Sequence, residues 1–271
     1  MKIATHIFFA FLAMTFLTGC SKNDPSVNAT RLRINLANAS PANFQEFNVD
    51  IQKIEISTVD STGGNESWAT LDIEPSVHNI TPLLSDKYKQ IADQYFPMGV
   101  LRRIRITFGN NSGLRTYPTE NPPTAAESIS LVLDPAIQDG IIIDVNANMY
   151  ANYISSILID INSALSVYES NGNFFFRPVI RVFPETFGGA LRGYASPIEA
   201  APVVVIAKDN DTLLTLPEFT DGRFFFKGLP EGEWEINVLA DPASGYKDTT
   251  FVDTVFTGRI RDLKSKIVLK R

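Results

Sequence analysis

The stretch Phe47-Asn48-Val49-Asp50-Ile51-Gln52-Lys53-Ile54-Glu55-Ile56 decides the fold class, because apolar and polar residues alternate along it. Alternation with a period of two is typical of a β-strand that buries one face. The apolar set changes phase once, between Ile51 and Ile54. One extra residue near Gln52-Lys53 would return both halves to the same face, so we predict a strand with a β-bulge at that point.

The same alternation occurs on both sides of this stretch. Residues 31–36 place three aliphatic side chains on one face, and residues 101–108 place arginines outward between apolar residues. Turn residues such as Gly, Pro and Asn separate these runs, as is typical of short strands joined by loops. Further strands are predicted at 68–73, 128–133, 141–145, 154–161 and 174–183.

One segment has a different period. Between Pro82 and Pro97, apolar residues recur at spacings of three and four, which predicts a single short helix within residues 81–95. The residues that carry this pattern are Leu83, Leu84, Tyr88, Ile91 and Tyr95.

A domain boundary is predicted at Pro184 to Gly189, where a proline precedes two glycines. Residues 30–184 are predicted to form an N-terminal all-β domain of unknown function. Residues 188–271 carry roughly seven short strands, the size and rhythm of an immunoglobulin-like sandwich. The predicted fold class is therefore all-β, with two β-sandwich domains and one short helix in the first.

The second predicted domain resembles the transthyretin-like, carboxypeptidase-regulatory type of module. The resemblance rests on Asp221-Gly222, an aromatic strand, the loop Gly228-Leu229-Pro230-Glu231-Gly232, Trp234, and the corner Gly245-Tyr246. It implies a transthyretin-like sandwich that is similar to carbohydrate-binding folds and serves in most cases as a stalk or spacer.

The first predicted domain resembles a family of bacterial lipoprotein domains of unknown function, which implies an all-β fold and an envelope location. That family usually has an acid where this chain has Asn38. The stretches that carry the resemblance are 36–39, 47–51, 80–84, 104–110, 159–162 and 177–182.

The first residues form a leader. Lys2 precedes the apolar run Ile7–Leu17, which is too short to span a bilayer that needs about 20 residues and is typical of a secretory signal. Leu17-Thr18-Gly19-Cys20 resembles the lipobox of bacterial lipoproteins. This implies a signal peptide at 1–19, acyl chains on Cys20, and a tether over 20–29. Ser21 resembles an outer-membrane sorting signal, with the protein facing the periplasm or the cell surface.

Composition limits the possible partners and chemistry. The formal charge is −6 and no basic run occurs, so we expect no nucleic-acid partner. Cys20 is the only cysteine, which leaves no thiol after acylation, and His78 is the only histidine beyond the leader. These counts disfavour a serine–histidine triad and a zinc site built on His and Cys. We therefore expect no catalytic residue, no metal site and no cofactor.

Carboxylates leave one catalytic alternative open. Two carboxyls about 5–10 Å apart suffice for a glycosidase. The acids on or beside predicted strands are Asp50, Asp134, Asp144 and Asp160. We interpret them as outward-facing strand acids, and Asp209-Asn210-Asp211 as a polar hairpin turn rather than a calcium loop.

Two aromatic triplets, Phe174-Phe175-Phe176 and Phe224-Phe225-Phe226, give the best indication of binding. In a strand, the first and third rings face one way and the middle ring the other. Phe175 and Phe225 are therefore candidate ligand or interface residues, since exposed aromatics mark interaction sites. The alternative is that a loop or the other domain covers each middle ring.

These patterns together predict a non-enzymatic envelope protein. Its expected partners are the membrane, through the lipid anchor, and glycans or other envelope proteins. Two alternatives stay open: a carboxylate-based glycan-active enzyme, and a structural subunit of a surface assembly.

Overall fold

The computed structural model describes residues 29–60, 64–120 and 122–271. The predicted signal peptide, Cys20 and nearly all of the predicted tether lie outside the described residues. Within these ranges the chain is built from strands, and the all-β prediction is confirmed. The helical segments in the described ranges are short 3-10 turns at Pro135–Ile137, Ser163–Leu165, Ile198–Ala200 and Pro242–Ser244.

Residues 29–184 form the first sandwich. Its described strands are β1 (Ala29–Ser40), β2 (Glu46–Asp60), β3 (Ser67–Thr70), β4 (Ser76–Asn79), β5 (Lys89–Pro97), β6 (Gly99–Phe108), β7 (Gly113–Arg115), β8 (Thr119–Glu120), β9 (Pro123–Thr124), β10 (Ser128–Ser130), β11 (Val132–Leu133), β12 (Ile141–Met149), β13 (Ile154–Asn162), β14 (Val167–Ser170), β15 (Asn173–Phe176) and β16 (Val179–Pro184).

Two large sheets make up the first sandwich. One has the order β16-β13-β1-β5, in which β1 runs parallel to β13 and antiparallel to β5. The other has the order β10-β7-β2-β6-β12, and β3 and β4 also pair with β2. A small sheet, β11-β15-β14, and the ribbon β8-β9 complete it.

The core lies between the two large sheets. The alternating apolar residues of β1, β2, β6 and β13 form one fully buried cluster, as the sequence pattern predicts. The predicted bulge is also confirmed: Ile51 lies opposite Phe108 and Lys53 opposite Thr107, so Gln52 has no partner across the ladder. Because of this extra residue, Ile51 and Ile54 both point into the core.

The predicted helix within residues 81–95 is wrong. Ser85 has a left-handed backbone (φ +63°), which interrupts a helix, and residues 89–97 form β5 along the edge of β1. Asp93 lies opposite Arg33 and is bound by Arg31 at 2.6 and 2.7 Å. Pairing with β1 satisfies the backbone and buries Ala92, and this tertiary gain overrides the local helical spacing.

Residues 189–271 form the second sandwich. Its sheets have the orders β20-β17-β23, with β24 also paired to β17, and β19-β18-β21-β22. The fully buried Trp234 lies in its core and donates its indole N–H to the Pro230 carbonyl at 3.0 Å. The strands are β17 (Gly189–Ser196), β18 (Val203–Lys208), β19 (Asp211–Thr215), β20 (Arg223–Leu229), β21 (Gly232–Leu239), β22 (Thr249–Val255), β23 (Ile260–Asp262) and β24 (Ile267–Val268).

The second sandwich packs against the outer face of the β1 sheet, the face that points away from the first core. In the described ranges no strand pairing joins the two sandwiches, and each has its own apolar cluster. The contact uses side chains of β1, β13 and β16 near the end of β1 at Ser40. The Thr215 hydroxyl donates to the Ala39 carbonyl at 3.1 Å, and the Leu216 N–H donates to the Ser40 hydroxyl at 2.9 Å. The exact domain limits at 184 and 188 stay a prediction.

Candidate functional site

A groove of about 290 Å³ lies where the two sandwiches meet. Both sandwiches contribute to its wall, and Leu158 and Phe183 of the first sandwich belong to a small buried apolar cluster beside it. The aromatic lining residues are Tyr88, Phe183, Phe187 and Phe225, and the charged lining residues are Asp86, Glu185, Lys227 and Arg259. We call this site the groove. Large aromatic surfaces with a few charged groups are typical of sites that bind organic ligands.

A smaller cavity of about 80 Å³ adjoins the groove. Phe225 and Lys227 line both spaces, so these two side chains form the partition between them. On the side of the first sandwich, the cavity is lined by Asn38, Asp160 and Arg181. Ligand contacts in the groove would therefore reach a polar, partly buried network behind Phe225.

The alternation of β20 places Phe225 in this position. Phe224 and Phe226 point into the core of the second sandwich and contact each other edge to face, with ring centroids 6.2 Å apart. Phe225 and Lys227 point to the opposite face, where both are half-buried. The Lys227 ammonium lies 5.9 Å from the centre of the Phe225 ring, at the outer limit of a cation–π contact.

Lys227 carries the positive charge at the centre of the site. Burial lowers the pKa of its ammonium, while the carboxylates of Asp160, Asp86 and Glu185 oppose this shift. In the part of the chain that the structure describes, no carboxylate lies within 4 Å of the ammonium. The charge is therefore partly desolvated and lacks a direct ion pair, which makes it available to a polar ligand.

Arg181 connects the two sandwiches. Its guanidinium contacts Asp160 at 3.1 Å, donates to the Lys227 carbonyl at 2.7 Å, and lies 5.0 Å from the centre of the Phe183 ring. Asp160 is only 3% exposed, so this ion pair is buried on its acidic side. Gly228 meets Phe183 so closely that a Cβ at this position would lie 2.5 Å from the ring.

Asn38 lies near the end of β1 and lines the smaller cavity. Its side-chain oxygen accepts from the backbone N–H groups of Ser40 and Ser163, each at 3.3 Å. The side chain thus fixes the end of β1 at the cavity wall. Asn38, Asp160 and Arg181 come from three separate sequence stretches, and only the sheet brings them together.

Phe175 lies on a different surface from Phe225. It belongs to the small sheet β11-β15-β14, lies between Val132 and Tyr168 on neighbouring strands, and stacks on the Tyr168 ring with centroids 5.2 Å apart. The Tyr168 hydroxyl donates to Asp134 at 2.9 Å. Phe175 and Phe225 are both half-buried, but the structure does not bring them into one binding face.

The interpretation of the four candidate acids as outward-facing is wrong for Asp50, Asp134 and Asp160, which are buried, and holds for Asp144. Asp50 is buried and accepts from the backbone and side chain of Asn111. Asp134 caps the turn at Pro135, and the N–H of Ala136 followed by the Tyr168 hydroxyl lowers the pKa of its carboxyl. Asp144 is exposed on β12, and Asp160 lines the smaller cavity.

His78 lies in a setting unlike that of a catalytic triad. Its Nε2 is 3.2 Å from the Ser76 hydroxyl, but its Nδ1 faces the Lys89 ammonium at 3.1 Å instead of an acid. Burial, followed by the charge of Lys89, lowers the pKa of the imidazole. A triad needs a carboxylate at Nδ1 to orient the ring and stabilise its charged form.

Two kinds of feature, a metal-binding cluster and a membrane-spanning helix, are absent from the described residues. Among residues 29–60, 64–120 and 122–271, no three His, Cys, Asp or Glu side chains are grouped in a way that could hold a metal ion. The same ranges contain no helix with the length and apolar character needed to cross a bilayer.

Several groove residues were missed by the sequence analysis. Asp86 and Tyr88 fell within the predicted helix, and Glu185 and Phe187 fell within the predicted domain boundary. The phenylalanine triplet of β20 was the only signal that pointed to the groove, through Phe225.

Comparison with known proteins identifies the first sandwich. The model of a family described as a domain of unknown function, DUF4382, matches residues 29–178. No curated protein matches this chain.

Similar solved structures include three bacterial proteins. The TIE protein of Bacillus anthracis is 13% identical with a TM-score of 0.25, and the match covers 84% of this chain and 35% of that protein. A candidate adhesin of Bacteroides ovatus is 10% identical with a TM-score of 0.25, covering 94% and 98%. The shaft pilin SpaA of Lactobacillus rhamnosus GG is 11% identical with a TM-score of 0.24, covering 89% and 96%. This chain thus spans about a third of the TIE protein. Likenesses of this size carry no argument about function.

Proposed function

This chain belongs to the DUF4382 family, a domain of unknown function. From the groove between its two sandwiches, we propose that the protein binds a glycan without converting it. The observation that carries this proposal is the partition formed by Phe225 and Lys227. A half-buried ring offers a face for stacking on a sugar, and the adjacent ammonium offers hydrogen bonds to hydroxyl or carboxylate groups.

The surrounding residues support the same ligand class. Tyr88 and Phe187 are about half exposed at the rim, so aromatic surface continues beyond Phe225. Asp86 and Glu185 add acceptors for sugar hydroxyls. Both carboxylates are exposed to solvent, so they are accessible to the hydroxyl groups of a sugar.

The proposal includes an envelope location. The lipobox-like stretch ending at Cys20 supports attachment to the outer membrane through acyl chains, facing either the periplasm or the cell surface. The second sandwich would be a transthyretin-like module that forms one wall of the groove. Its positive-φ residues Gly222, Gly228 and Gly232 support this assignment, because they fall at the turn and loop positions of the resemblance.

Glycan binding is tested with the full chain in detergent on an array of bacterial and host glycans, followed by titration with the strongest ligand. Phe225→Ala removes the stacking face, and we expect binding about tenfold weaker, or about 1.4 kcal/mol. Phe175→Ala is the matched control, because it changes the middle ring of the other triplet on a separate surface. Equal affinities of both variants and the parent protein would contradict the proposal.

A second candidate function rests on Asp86 and Glu185, two carboxylates that line the same groove. A carboxylate-based glycan-active enzyme would need the two carboxyls about 5–10 Å apart. The two functions differ in what happens to the bound glycan. Release of new reducing ends that Glu185→Gln abolishes, with glycan binding retained, would favour the enzyme over the binding module.

A further inference from the structure

Four exposed residues cluster at the end of the first sandwich where the described chain begins. Their exposed fractions are 57% for Tyr95, 60% for Tyr150, 67% for Tyr153 and 53% for Ile154. We call this cluster the tyrosine patch. Three tyrosines and an isoleucine exposed together are unusual on a face with no partner, since single scattered apolar residues are the norm.

The sheet register holds the patch together. Arg31 of β1 lies opposite Tyr95 on one side and Ile154 on the other, so the three side chains form a row on the outer face of the β1 sheet. The rings of Tyr150 and Tyr153 contact each other with centroids 6.2 Å apart. The patch therefore combines an edge of the sheet with the loop that connects β12 and β13.

The same loop contacts the first described residue of the chain. The Asn152 N–H donates to the Ala29 carbonyl at 2.8 Å, and the Arg31 N–H donates to the Tyr153 carbonyl at 2.9 Å. Nine peptide units separate Ala29 from Cys20, and a chain of that length reaches at most about 31 Å. If Cys20 is acylated, Ala29, which the patch loop contacts, cannot lie farther than this from the bilayer surface.

We propose that the tyrosine patch is a membrane-contact surface that lies in the lipid headgroup region beside the acylated Cys20. The proposal rests on the lipid anchor of the proposed function. Tyrosine suits this occupant, because its ring is apolar and its hydroxyl remains hydrated, and tyrosines are enriched at membrane interfaces. The tether places a bilayer near this face at all times, whereas a second copy or another protein would have to be recruited there.

The groove lies farther along β1 than the patch. The patch lies at the Ala29 end of β1, and the contact with the second sandwich lies at the Ser40 end. Leu158 in the groove wall pairs with Asn35, at the middle of β1 between these two ends.

The test uses the full lipidated chain in phosphatidylcholine vesicles, with and without brominated acyl chains that quench nearby tryptophan fluorescence. The probe variant is Tyr153→Trp. The matched control is Phe219→Trp, which replaces an aromatic residue that is 50% exposed in the second sandwich. Emission from Trp68 and Trp234 is subtracted with the parent protein. We expect brominated lipid to remove the emission added by Tyr153→Trp and to leave that added by Phe219→Trp.

Each other outcome overturns the proposal in a distinct way. If mass spectrometry finds no acyl chains on Cys20, the lipid anchor and the membrane contact both fail. If Cys20 is acylated but the Tyr153→Trp emission is not quenched, or both probes are quenched alike, only the membrane contact fails. A Cys20→Ser protein that dimerises, and returns to a monomer with Tyr150→Ser and Tyr153→Ser, would assign the patch to a second copy instead.

Discussion

Removing the guanidinium of Arg181 tests how much a buried ion pair of the first sandwich, together with its hydrogen bond to the second sandwich, contributes to stability. Arg181→Ala leaves Asp160 without its 3.1 Å partner at 3% exposure, and it removes the 2.7 Å hydrogen bond to the Lys227 carbonyl. Breaking a buried ion pair by removing one partner costs about 3–5 kcal/mol, because the remaining charge has lost its compensation. At roughly 2–4 °C per kcal/mol for a chain of this size, Tm should fall by about 6–20 °C.

The assay is urea denaturation followed by tryptophan fluorescence, since Trp68 lies in the first sandwich and Trp234 in the second. The control is Arg192→Ala, because the Arg192–Asp262 pair is 36% and 45% exposed. Exposed pairs contribute at most about 1 kcal/mol. If Arg181→Ala lowers the free energy of unfolding no more than Arg192→Ala does, the reasoning is refuted.

A second variant separates the charge from the packing. Asp160→Asn together with Arg181→Ala removes the uncompensated carboxylate while the cavity left by Arg181 remains. We expect the double variant to be more stable than Arg181→Ala alone, with a coupling of about 1–3 kcal/mol between the two positions. Strict additivity of the two single changes would show that Asp160 does not depend on Arg181.

Two further predictions concern the contact between the sandwiches and the pH dependence of stability. In urea denaturation, Gly228→Ala should lower the free energy of unfolding by about 1–3 kcal/mol more than Gly245→Ala does. Both glycines have a left-handed backbone, but only a Cβ at position 228 would clash with the Phe183 ring. Equal losses of unfolding free energy would contradict this close approach. Burial, followed by the charge of Lys89, lowers the pKa of His78 in the folded protein. As the pH drops, the unfolded chain therefore takes up a proton near pH 6.5, before the folded chain does. The contribution of His78 to the free energy of unfolding is fully present above that pH and is lost as the pH drops towards the folded pKa. Tm measured from pH 7.5 to 5 should therefore fall less in His78→Gln than in the parent protein, and identical profiles would contradict the shift.

The strand framework was predictable because each strand carries its own evidence. A half-buried strand alternates whatever it pairs with, so β1, β2, β6 and β13 and even the bulge at Gln52 could be inferred locally. β5 could not, because its apolar residues match a helical spacing. Only the unpaired edge of β1, which local sequence does not reveal, decides between a helix and a strand there.

The candidate site was predictable only in part, for a related reason. Phe225 stood out because a triplet of rings in a strand must point one ring outward. Its surroundings depend on how the second sandwich packs on the β1 sheet. Asp160, Arg181 and Glu185 become neighbours of Lys227 only through that contact, and no spacing in the sequence encodes it.

The position of β1 has a mechanical consequence. β1 has 12 residues and spans about 36 Å at roughly 3.3 Å per residue, from Ala29 to the contact with the second sandwich at Ser40. A pull between these ends runs along the strand, while its hydrogen bonds to β13 and β5 lie across the pull. Sliding β1 out of the sheet would load these bonds together instead of opening them one after another. Resistance to such a force would then be set by the rate of unfolding, so the central strand would bear the tension between the proposed anchor at Cys20 and the second sandwich.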